Sequence, residues 1–272
     1  MMLRNLMGGA LAAAILSLPA QAGTLADAVA NKQRTAEFVQ RDQYRHPAET
    51  LAFMGIQPDM RVVELWPGKG WYTEILGPYL RDHGQLIVGN FNTELGESPS
   101  GLERYFAKAG LALRARLASE KAWLGDIQEV TFQPPEHLVL AKPGSVDRVL
   151  TFRNIHNWHK HGTLDGVLAS VFEALRPGGI FGVVEHRAKA GTSAEQMARS
   201  GYMTEDFVIA AAEKAGFRLA GRAEINANPR DDTDHPNGVW TLPPTLNAPE
   251  ADQDQYQAIG ESDRMTLKFV KP

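Results

Sequence analysis

The stretch RNIHNWHKH, Arg153 to His161, carries three histidines: His156, His159 and His161. Imidazole titrates near neutral pH, so such a residue can act as a general base toward an acceptor. It also suits zinc or copper, and a metal site wants three or four converging ligands. Asp165, Glu185 and His186 are the residues that would complete one. The plain alternative is polar loop residues that cap a helix. A second stretch, VVELWPGKGW (Val62 to Trp71), sets an acid, Glu64, near the end of an apolar run. Two glycines, Gly68 and Gly70, follow one residue apart. Such glycines let a backbone approach a ligand closely, and the next helix offers free N–H groups. A dinucleotide turn reads G-x-G-x-x-G/A and is followed by an acid at the end of the next strand. Here Thr73 replaces the third small residue and Asn90 stands in the acid's place, which argues against a nicotinamide cofactor.

The elements that must position these residues alternate along the chain. Residues 24–41 have a helical pattern. In YRHPAETLAFMGI, Pro47 suits the first turn of a helix and Gly55 its end. RVVEL, QLIVGN, VDRVLTF and IFGVVEH are short apolar runs of strand type, with helical patterns between them. Thr204 is a fitting N-cap and Gly216 a fitting C-cap for the helix TEDFVIAAAEKAGF. RLAGRAEIN and DRMTLKFVK are two final strands with no good crossover helix between them, so they pair antiparallel at one edge. The pattern predicts an α/β, doubly wound, mostly parallel sheet with helices on both faces. Residues 23–272 then form a single domain, with N-terminal helices over 24–56 and a long polar loop or flap over 227–262. In that fold ligands sit beyond the carboxyl ends of the strands, where both marked stretches fall.

Five motifs in this order resemble class I S-adenosylmethionine-dependent methyltransferases. They are PAETLAFMGIQPDM, the Glu64-to-Gly70 turn, VDRVLTFRNIHNW, VFEALRPGGIFGVVEH and GYMTEDFVIAAAEKAGFRLAG. The chain looks most similar to exported bacterial proteins described only as predicted methyltransferases. The resemblance implies a seven-stranded Rossmann-like sheet with an antiparallel edge strand, and S-adenosylmethionine as cofactor. It implies cofactor-binding positions at Glu64, Trp66, Gly68, Gly70, Tyr72, Asn90 and Asp126. Glu64 would serve the ammonium end, Asn90 the ribose and Asp126 the adenine amino group. Trp66 replaces the family's first glycine and Asn90 its ribose acid; the indole would either shape the pocket or fill it. Tyr72 and Trp71 would stack on the ligand or pack the helix. His156 would be the base, with Asn154 and Asn157 orienting the acceptor. Tyr44, His46, Arg153 and His186 would face substrate, and Arg45 or Arg187 could hold a substrate carboxylate through a bidentate pair.

The 272 residues carry a net charge of −4 with a pI near 6.1, so no broad nucleic-acid surface is expected. That leaves a small molecule or a protein side chain as acceptor. Residues 1–22 have a short positive start, an apolar run and an AQA site, which predict a cleaved signal peptide. A mature protein beginning near Gly23 would be periplasmic or secreted, with no stable membrane anchor. The chain has no cysteine, hence no lipidation cysteine and no disulfide. S-adenosylmethionine is made in the cytoplasm, so export raises a second hypothesis. That is a non-catalytic periplasmic binding protein on the same fold, for a nucleoside-like ligand or a metal held by the His156/His159/His161 region.

Overall fold

A computed structural model describes residues 23–272; the predicted signal peptide lies outside the described residues. Short helices α1 (Leu25–Val29), α2 (Ala36–Val39), α3 (Asp42–Arg45) and α4 (Pro47–Phe53) lead in. The first of these patterns is therefore broken rather than one helix. Then follow β1 (Arg61–Leu65), α5 (Thr73–Leu80), β2 (Gln85–Asn90), α6 (Gly101–Ser119), α7 (Lys121–Leu124) and β3 (Gln128–Thr131). Next come β4 (Val146–Phe152), α8 (Ile155–Lys160), α9 (Leu164–Ala174), β5 (Leu175–His186), α10 (Ala194–Ser200), α11 (Glu205–Lys214) and β6 (Arg218–Ala223). After a long segment that carries two 3-10 turns and α12 (Gln253–Ile259), β7 (Arg264–Val270) completes the sheet. No helix among the described residues is long and apolar enough to cross a membrane.

The seven strands run in the order β3-β2-β1-β4-β5-β7-β6. β1 pairs in parallel with both β2 and β4, so strand order reverses at β1 and opens the switch-point crevice there. β7 runs antiparallel between β5 and the edge strand β6. Its reversed direction brings its first residue, Arg264, beside His186, the last of β5. The central strands bury both faces, and this is why they read as unbroken apolar runs. Val63, Ile87, Val149 and Val183 pack in one layer; Val62, Val88, Leu150 and Val184 pack in the other. β3 has only four residues, all partly or fully exposed, and leaves no apolar run to notice.

The helices are placed by their ends. Ser100 with Glu103, and Ser193 with Gln196, form reciprocal capping boxes that start α6 and α10. Thr204 caps α11 as expected, accepting from the Phe207 N–H. Pro47 occupies the first turn of α4.

Candidate functional site

The carboxyl edge of the sheet has two unlike halves. Over β1, β2 and β3 it is aromatic. Trp66 follows β1 directly and adopts a left-handed backbone, φ +45°. Its backbone N–H extends the pairing to Gly89 O at 2.9 Å. Its indole Nε1–H donates to Phe132 O at 2.7 Å. The ring lies 4.9 Å from Phe91, 5.5 Å from Phe106 and 5.4 Å from Trp158. Phe91 follows β2, Phe132 follows β3 and Trp158 lies on α8 beyond β4. The indole thus spans the crevice at the switch point, and it is only 8 % exposed. The indole is packed and hydrogen-bonded in this position.

The other residues of this half are equally engaged. Asn90 is buried; its amide donates to Gly110 O and Glu129 Oε1, and its oxygen accepts from the Phe91 N–H. Glu64 is buried and accepts from Thr73 Oγ1 at 2.7 Å. Burial pushes its carboxyl up to about 8, against that hydrogen bond. Tyr72 stacks on Phe152 with centroids 3.6 Å apart, and burial pushes its phenol up to about 12. Trp71 donates from Nε1 to Phe38 O and lies under the Arg45 guanidinium. Both aromatics therefore pack the helical layer. Gly68 and Gly70 have φ of +60° and +83°, and nothing stands within 4 Å of where a Cβ would sit on Gly68. The turn keeps an open glycine backbone, with the indole beside it. Asp126 requires a correction. It precedes β3, at the amino end of a parallel strand and away from the crevice. It is exposed there and pairs with Lys121 at 2.9 Å.

Over β4, β5 and β7 the edge is polar. Asn154 anchors it to the turn by donating to Leu65 O and Thr151 Oγ1. His156, at the start of α8, places Nδ1 3.0 Å from Glu185 Oε1. Glu185 also accepts the backbone N–H groups of His156 and His186. His186 Nδ1 lies 2.5 Å from Ser262 Oγ, and burial holds its imidazole well below the usual range. The two histidine rings are 5.3 Å apart, and Trp240 of the long segment meets His156 edge-on at 5.9 Å. His156, Glu185 and His186 each offer one ligand atom, all within 4.8 Å. His159 and His161 do not join them. His159 Nε2 lies 3.1 Å from Ala194 O, beside Phe207, and His161 is an exposed C-cap. Asp165 pairs with Lys214 on the surface. The trio of histidines adjacent in sequence is therefore not a metal site. Asn157 is half-buried and makes no side-chain hydrogen bond among the described residues.

Behind the histidines lies a buried carboxylate, Glu261. It accepts from Arg41 Nε at 2.6 Å, Arg45 Nε at 3.1 Å and Arg264 Nη1 at 3.0 Å. Burial opposes its ionisation, yet Arg45, Arg264, Arg153 and Arg41 together hold it down at about 2. Arg153 belongs to this group with a left-handed φ of +64°. Burial brings its guanidinium down to about 10; Glu261 opposes that, and Arg264 and Arg41 add to it. Tyr44 packs its ring against Gly260, while half-buried His46 serves as the left-handed link between α3 and α4. Arg187 is committed elsewhere. It forms a bidentate pair with Asp263 and meets Glu205 and Glu224, so it ties β5 to the final loop.

Glu261, Ser262, Arg264 and Trp240 were not legible as site residues. The one signal for the first three is ESDR set directly before an apolar strand, which reads as a site only once that strand is known to run antiparallel.

No family model matches the chain and no curated protein matches it. Solved structures do. A SAM dependent methyltransferase from Aquifex aeolicus is 11 % identical, with a TM-score of 0.55 over 86 % of this chain and 93 % of that one. The cyclase SpnF is 14 % identical, with a TM-score of 0.54 over 91 % of both chains. At such identities the likeness establishes the fold: a doubly wound, Rossmann-like sheet of the methyltransferase type.

Proposed function

We propose that the chain is a small-molecule enzyme whose reacting centre is His156 with Glu185, and that its reaction is methyl transfer from S-adenosylmethionine. The observation that carries this reading is the buried His156–Glu185 pair at the carboxyl edge, next to the glycine turn. A carboxylate on Nδ1 fixes the imidazole tautomer and leaves Nε2 as the basic nitrogen. Nε2 makes no hydrogen bond among the described residues. It would take the proton of a hydroxyl or amine acceptor, and Glu185 would stabilise the resulting imidazolium. Trp240 would exclude water above it. S-adenosylmethionine would supply an electrophilic methyl group and needs only alignment of the acceptor.

The donor's own site fits in part. The open backbone at Gly68 suits close approach, but the Trp66 indole is packed beside that turn, among Phe91, Phe106 and Trp158. This same observation favours a second reading, a binding protein that has kept the fold and given up the cofactor. The fold does not decide, since its relatives include one named as a cyclase. Calorimetric titration of S-adenosylmethionine and S-adenosylhomocysteine into the parent protein and Trp66→Gly separates the two. Binding of both, strengthened in the variant, supports methyl transfer. No binding to either protein at millimolar ligand sinks it. The leader-like residues 1–22 support work in the cell envelope, which fractionation of producing cells would test.

A further inference from the structure

The guanidinium cluster holds more positive charge than the protein neutralises. Four side chains, Arg41, Arg45, Arg153 and Arg264, surround the one carboxylate of Glu261. A carboxylate offers about four lone-pair positions. Three N–H groups already engage both oxygens: Oε1 accepts from Arg41 Nε, Oε2 from Arg264 Nη1, and the Arg45 Nε–H is shared between the two. Arg153 does not join them: its side chain makes no hydrogen bond or ion pair among the described residues. Arg45 Nη2 and Arg41 Nη2 are buried and also lack partners. Glu185, the carboxylate of the histidine pair, is taken up by His156 and the His186 N–H.

Arg153 is half-buried, whereas the unpartnered Nη2 atoms of Arg45 and Arg41 are fully buried; unmatched charge of one sign held so close together is costly, and proteins keep it where a ligand supplies the other sign. The backbone enforces the arrangement. Arg153 follows β4 directly, is held left-handed, and donates its N–H to Val184 O at 2.7 Å. Its side chain is therefore fixed to the carboxyl edge, one turn of chain from His156. The excess positive charge also disfavours a metal cation on His156, Glu185 and His186, although their spacing would allow one.

We infer that this cluster binds an oxyanion, the carboxylate or phosphate group of a small molecule, with Arg153 as principal ligand and the free Nη2 of Arg45 beside it. Guanidinium forks match both groups with paired, charge-assisted hydrogen bonds. The inference deepens the reading above and rests on it only for what happens next: one end of the acceptor is held at Arg153 while the other meets His156.

The test uses inorganic phosphate and acetate as probes, titrated calorimetrically at fixed ionic strength set by sodium chloride. No methyl donor is present, so failure here and failure of the methyl-transfer reading are separate results. At least one probe should bind saturably, and Arg153→Met should weaken it by at least about tenfold, as loss of a charged hydrogen-bond pair would. Phosphate alone, acetate alone or both would each support the inference and identify the group. Without probe, Arg153→Met should melt no lower than the parent, because it relieves like-charge repulsion. Absence of binding by both probes at millimolar concentration would overturn the inference. So would undiminished binding by Arg153→Met, or a lower probe-free melting temperature in that variant, which would make Arg153 structural.

Discussion

Glu64 and Glu261 lie at the same edge of one sheet and titrate in opposite directions. Glu64 sits under the aromatic half, has only Thr73 as polar side-chain partner among the described residues, and is pushed up to about 8. Glu261 sits in the polar half among four guanidiniums and is held down at about 2. Both are buried. Burial alone therefore does not decide charge here; the partners do. The aromatic half has become core, while the polar half keeps charge that the protein leaves unmatched.

The comparison can be broken in four places. Trp66→Ala should cost about 4 kcal/mol, the transfer and cavity terms for a large buried aromatic, seen in chemical denaturation. A loss below about 1 kcal/mol would mean that the indole is not packed as core. Glu261→Gln should cost about 3 kcal/mol, because three guanidiniums lose their charged partner. Its stability is present above the ordinary carboxyl value of 4.5 and is lost as pH falls toward about 2. Glu64 has the reverse sign. Its contribution is complete below 4.5 and is lost as pH rises to about 8. Glu64→Gln should thus be more stable than the parent at pH 8, by about 2 kcal/mol, and no more stable at pH 4. Equal stability curves for the two proteins across that range would refute the assignment. Asp126→Asn, at the far edge, should change stability by less than about 0.5 kcal/mol and leave ligand binding untouched.

How much of this was legible follows from distance along the chain. β1, β2, β4 and the apolar part of β5 were readable because a strand buried on both faces writes itself as a local apolar run. β3 has no such run, and the misplacement of Asp126 is a direct result. Without the strand, nothing shows which of its ends the acid occupies. The three histidines were readable as chemistry but not as geometry. One turn of α8 turns His156 toward Glu185 and His159 toward Phe207. Glu261 meets Arg41 and Arg45 across more than two hundred residues, and no spacing rule reaches that far. Trp66 lies between these cases, since its place in the turn was evident and its rotamer was not.

The long segment after β6 is stitched shut at its base. The Asn228 amide donates to both Ile259 O and Glu261 O, and Arg230 donates to Ala258 O. What lies between is a cassette whose two ends emerge side by side. Changing the length of such a closed loop alters its entropy only logarithmically. Trp240, the residue over His156, is carried inside the cassette, whereas the histidine and its carboxylate belong to the sheet. On the reading proposed above, what the chain accepts would be set by a replaceable part and the proton-handling pair by a permanent one, so a change of loop would leave the pair in place.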